Sequence, residues 1–108
     1  MSSFDDRKRG EEARYAMDEA TEFKVMARRN KLLGLWIAEQ MDLSGDDADA
    51  YAKTVVLADL EEPGDEDVFR KVQADIASKS LNISDDLLRE RMAELIPVAR
   101  DQITGEAD

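Results

Sequence analysis

Phe23 to Met41 reads FKVMARRNKLLGLWIAEQM, and this stretch holds the chain's only tryptophan, a basic knot and its densest apolar run. Phe23, Met26, Leu33 and Ile37 recur at helical spacing along one face, so the stretch predicts an amphipathic helix rather than a strand. Val25, Leu32, Leu35 and Trp36 widen the apolar surface well beyond a single stripe. A helix that is apolar on most sides needs several neighbours. Gly34 sits inside this pattern at a cost of about 1 kcal/mol against alanine, which fits either a close approach by another element or simple tolerance. Arg28, Arg29 and Lys31 interrupt the run, and their long stems let the charges leave the core. They form either a solvated basic rim or a docking surface for a partner's carboxylates.

Upstream of this helix, residues 1 to 22 carry seven acidic and four basic side chains, with Phe4, Tyr15 and Met17 as the main large apolar groups. Such a segment has little with which to anchor itself to a core. Ser3 with Asp6 three residues on is a helix-start signal, because a hydroxyl and a carboxylate both answer the exposed N–H groups of a first turn. Gly10 and the cost of nucleating a short helix in water oppose it. The expectation is a segment, residues 1 to 18, that is mobile when free and helical when bound.

Downstream, the central helix is expected from about Asp18 to Met41, followed by a turn over Asp42 to Gly45. Ser44 with Asp47 marks the next helix start, and Ala48, Tyr51, Ala52, Val55 and then Leu57 or Ala58 give that helix its inner face. Pro63 and Gly64 end it. Asp65 to Asp67 complement the dipole of a third helix whose inner stripe is Val68, Phe69, Val72 and Ile76, stopping near Lys79. Ser84 caps a fourth helix, with Ile83 and Leu88 at the positions of a hydrophobic staple. Leu88, Met92, Leu95, Ile96, Ala99 and Ile103 carry its apolar face past Pro97, where a kink rather than an end is expected. The tail from Thr104 to Asp108 is expected to fray.

Four helices with short connections predict an all-α protein, a small four-helix bundle over residues 19 to 108 with a mobile N-terminal segment. A chain of 108 residues with 43% hydrophobic and 38% charged residues fits one domain.

The formal net charge of -11 argues against nucleic-acid backbones and anionic membrane surfaces as partners. There is no cysteine and no histidine, which excludes disulfides, thiolate metal sites and imidazole catalysis. Residues 42 to 67 hold ten acidic side chains against one basic, yet the spacing of a calcium loop is missing, so these acids read as helix caps on a solvated edge and no metal is expected. No phosphate-binding loop or dinucleotide fingerprint occurs, and no cofactor is expected. Nor is enzymatic activity, since carboxylates alone do not define a catalytic pocket. Without a leader-like or membrane-spanning run, the chain is expected to be cytoplasmic and a monomer when free.

SFDDR at residues 3 to 7, FKVMARRNKLLGLWIAEQM, AYAKTVV at 50 to 56 and GDEDVFRKV at 64 to 72 together resemble the zeta-subunit family of alphaproteobacterial F-type ATP synthases. RRNKLLGLW is the most telling piece. The resemblance runs in order from Ser3 to about Ile103. It implies a four-helix protein that binds the catalytic head, formed by the alpha, beta and gamma subunits, and blocks ATP hydrolysis more than synthesis, lying peripheral to the inner membrane when bound. The inhibitory element it implies comprises Ser3, Phe4, Asp5, Asp6 and Arg7, then Arg14 and Tyr15. Typical members read close to FDDREKAFEAKFAHD, and this chain departs with Lys8 where an acid is usual, Gly10 where alanine is usual and Glu11 where an aromatic is usual, changes that weaken an apolar, helix-prone insert. A bundle that binds the synthase or a nucleotide without strong inhibition is the alternative reading.

Overall fold

The computed structural model describes the backbone of residues 2–61 and 64–107 and the side chains of residues 20–60 and 64–105. Among these residues there are four helices and no strand: α1 Ser2–Gln40, α2 Gly45–Glu61, α3 Asp65–Ser78 and α4 Asp85–Ala107. The all-α four-helix bundle expected from the sequence is therefore the fold. The expected mobility of residues 1–18 in the free chain lies outside the described side chains.

Two boundaries differ from expectation. The first helix begins at Ser2 rather than near Asp18, and Gly10 does not break it. Extending a helix already nucleated by the packed stretch adds one hydrogen bond per residue without a new nucleation cost, so a modest glycine penalty is absorbed. At the other end, α4 continues through Pro97 and on to Ala107, past the expected fray.

Helix ends carry clear local causes. At the start of α4, Ser84 Oγ accepts from the Leu87 N–H at 3.1 Å and the Ser84 carbonyl from Leu88 N–H at 3.0 Å. Ile83 and Leu88 both join the core, completing the staple. After α1, Leu43 N–H reaches back to Ala38 O at 2.9 Å and Asp42 N–H to Glu39 O at 3.0 Å, with Asp42 at φ 63°. After α3, Leu81 N–H bonds Ile76 O at 2.9 Å and Ser80 N–H bonds Ala77 O at 3.2 Å, with Ser80 at φ 54°. Both are Schellman terminations, and both place a residue other than glycine in the left-handed position.

The core is built from Leu33 and Ile37 of α1, Val55 of α2, Val68, Phe69, Val72 and Ile76 of α3, and Leu88 and Met92 of α4. Trp36 and Tyr51 pack against its edge. α1 and α2 approach closely where Gly34 faces Ala52. A Cβ built on Gly34 would lie 2.6 Å from Ala52 Cα, so this glycine is required by close packing, which decides between its two readings. Phe23 departs from the expected face: it is 62% exposed, whereas Val25 is fully buried.

Candidate partner-binding surface

At about 1.5 Å per residue, the 39 residues of α1 span roughly 58 Å and the 23 residues of α4 roughly 35 Å. The two helices run antiparallel. The Arg91 guanidinium stacks over the Trp36 ring at 4.8 Å, Arg29 meets Met92, and Glu22 pairs with Arg100 at 2.5 Å. With Glu22 level with Arg100, α4 ends seven residues further on and α1 projects roughly 20 Å beyond it. The projecting backbone carries the predicted partner residues Ser3, Phe4, Asp5, Asp6, Arg7 and Arg14, with Tyr15 about level with the end of α4. Their side chains lie outside the described residues.

The basic knot splits into three environments. Arg29 is 1% exposed and does not reach outward, as its long stem had suggested. Its Nη2 donates to Asp65 Oδ1 at 2.7 Å, its Nη1 to the Met92 carbonyl at 3.1 Å, and its Nε to Asn30 Oδ1 at 2.8 Å. One guanidinium thus ties α1 to the start of α3 and the middle of α4. Arg28 donates to Gln102 Oε1 at 2.8 Å, and Lys31 is exposed. A signal for Arg29 was present in the sequence: it falls on the four-residue step Val25, Arg29, Leu33, Ile37, all of which are buried.

Sequence spacing did not anticipate a second polar cluster, at the far end of the bundle. Tyr51 Oη donates to Asp75 Oδ2 at 2.7 Å, and Lys71 Nζ donates to the same oxygen at 2.6 Å while lying 5.3 Å from the Tyr51 ring centre. Burial, then the bond to the Asp75 carboxylate, raises the Tyr51 hydroxyl above the ordinary tyrosine range. The cluster lines a hollow of about 490 Å³ between the end of α1, the middle of α2 and the second half of α3. On the α3/α4 face, Arg89 holds Glu66 through two bonds of 2.8 and 3.1 Å and stacks on Phe69 at 3.8 Å. The Arg89 bond holds the Glu66 carboxyl below the usual glutamate range.

These features describe a bundle whose first helix is bolted in place by Arg29 and runs on past its partners. The family model for ATPase inhibitor subunit zeta matches residues 1–102, taking in the projecting segment together with the bundle. The chain belongs to that family. Its members are inhibitor subunits, so the zeta assignment carries a regulatory, non-catalytic role associated with the ATP synthase. A protein solved by solution NMR is similar at a TM-score of 0.70 with 48% sequence identity, over 79% of this chain and 96% of that one. A search among curated proteins gave no match. Among the described residues, no helix is long and apolar enough to cross a membrane.

Proposed function

We propose that this zeta-family chain binds the catalytic head of an F-type ATP synthase and inhibits ATP hydrolysis through residues 1 to 18. The observation that carries the reading is the projection of α1: a regulatory bundle holds a continuous helix whose first turns extend beyond α4. Phe4 and Tyr15 act as apolar anchors and Arg7 and Arg14 pair with carboxylates of the host interface, in the manner that aromatic and arginine groups dominate interface energies. The bundle stays outside as a stop that fixes the depth of insertion. The protein works in the cytoplasm, at the membrane only through the synthase.

Lys8, Gly10 and Glu11 favour the second reading, docking without strong inhibition, because Gly10 lowers the helix propensity of the insert, Glu11 lowers its apolar content and Lys8 reverses a charge near its N-terminus. Steady-state hydrolysis by the matching purified enzyme separates the two. Inhibition by the full chain and by a peptide of residues 1 to 22, abolished in a chain lacking residues 1 to 18, supports the first. Binding without any loss of hydrolysis at saturation supports the second.

A further inference from the structure

Phe23 lies five residues after the proposed insert and is the most exposed of the large apolar side chains in the bundle. It lines a groove of about 480 Å³ whose apolar surface also includes Ala27 of α1, Val56 of α2 and Ile103 of α4. A second hollow, of about 390 Å³, shares Lys31 and Val56 with it and extends it along α2 past Ala52. Among the described residues that line it the rim is basic: Lys24, Arg28, Lys31 and Lys53 stand beside one acid, Asp49. The chain as a whole has 26 acidic and 15 basic residues, so this patch inverts the surrounding charge. An apolar floor within a polar rim is the pattern of an interaction surface.

We infer that this groove docks an acidic, amphipathic segment of the catalytic head, at the mouth of the cleft that receives residues 1 to 18. The inference rests on the functional reading above. Two observations select the occupant. The lysines complement carboxylates and repel another basic surface. Continuity of α1 places Phe23 only about 7 Å along the helix axis from Asp18, so the wall flanking the insertion site is what the groove meets first. Phe23 then supplies a central apolar anchor, and the lysines set register and speed the encounter.

The test uses the full chain, fluorescently labelled, titrated against the purified catalytic head at low and high salt, with inhibition of hydrolysis read in parallel. The variants are the triple change Lys24→Glu, Lys31→Glu, Lys53→Glu and the single change Phe23→Ser, with Lys79→Glu at the opposite end of the bundle as a control. Circular dichroism melts check that each variant folds, and Phe23→Ser touches a side chain that is already exposed. Both groove variants should weaken binding roughly tenfold or more, the salt dependence of the triple variant should reverse in sign, and Lys79→Glu should stay within about twofold of the parent. Folded groove variants that bind as tightly as the parent overturn the inference. So does parent self-association that the triple variant abolishes while head binding is unchanged, which assigns the groove to a second copy. A parent chain that binds without inhibiting removes the inhibitory reading alone, and the affinity ratio still decides the groove. A parent chain that does not bind the head removes both.

Discussion

Arg29 and Asp65 form an ion pair with unequal partners: the guanidinium is 1% exposed, whereas the carboxylate is 54% exposed. Only the arginine has been taken out of water, so the pair is asymmetric in what each deletion leaves behind. Its remaining bonds, to the Met92 carbonyl and Asn30 Oδ1, are made inside the bundle. The Met92 carbonyl lies one residue before Ala93, whose own carbonyl loses its helical donor to Pro97. Arg29 therefore braces α4 next to the turn that the proline weakens.

Asp65→Ala should destabilise the bundle by about 2 kcal/mol, since it leaves a buried guanidinium with one charged partner fewer. Arg29→Ala should cost more, about 2–4 kcal/mol, by adding a cavity between α1, α3 and α4. Arg29→Met, which refills the volume but strands the buried Asn30 Oδ1 along with the wet carboxylate, should cost less than Arg29→Ala. Urea unfolding of the three variants gives the order directly. Equal losses for Met and Ala would mean that hydrogen bonding, not packing, dominates the site.

Gly34→Ala and Gly105→Ala are the same chemical change with opposite expected signs. At Gly34 the new methyl meets the Ala52 backbone at 2.6 Å, so α1 and α2 must separate. Overpacking of that kind costs about 1–3 kcal/mol and outweighs a helix-propensity gain of about 1 kcal/mol. At Gly105 nothing stands within 4 Å, and alanine should stabilise α4 by up to about 1 kcal/mol. Melting temperatures falling for the first and rising for the second check both.

The two Schellman ends make a further pair of expectations. Ser80 adopts φ 54° without the freedom of glycine. Ser80→Gly should stabilise by about 0.5–1 kcal/mol, because relief of left-handed strain exceeds the added entropy of the unfolded chain. Asp42→Gly should gain less, since aspartate tolerates that region better than serine. Chemical denaturation of the two single variants measures the difference.

What the sequence made legible was local. The Ser84 cap, the Ile83/Leu88 staple, the acidic start of α3 and its stripe of Val68, Phe69, Val72 and Ile76 are all set by neighbours within a few residues, and spacing reveals them. Phe23 and Arg29 were misjudged because their fate depends on how the other helices pack. Periodicity puts Phe23 on a core face, but its ring lies over the open groove it lines with Ala27, Val56 and Ile103 and stays largely in water. Arg29 occupies a core step and was read outward because a charge is costly to bury; the partners that make its burial tolerable, Asp65 and the Met92 carbonyl, are distant in sequence. The roles proposed for side chains of residues 1 to 18 come from family resemblance, since this segment has no apolar periodicity of its own.

Tyr51 supplies a pH signature. Its hydroxyl is held protonated by burial and by the Asp75 carboxylate, so its pKa is higher folded than unfolded. The linkage sign follows: the stabilisation is complete below the unfolded tyrosine value of about 10 and is lost as pH rises from there toward the folded value. Alkaline titration of the native chain should therefore show a delayed tyrosinate phase that coincides with loss of helical circular dichroism. Tyr51→Phe should remove that delayed phase and flatten the fall in stability above about pH 10, at the expense of the bond to Asp75, worth about 1–2 kcal/mol at neutral pH. Lys71 keeps its own bond to Asp75 in this variant, so the carboxylate is not stranded and the fold survives to be measured. A tyrosinate phase unchanged by the substitution would place the delayed group elsewhere and break the link between this cluster and alkaline stability.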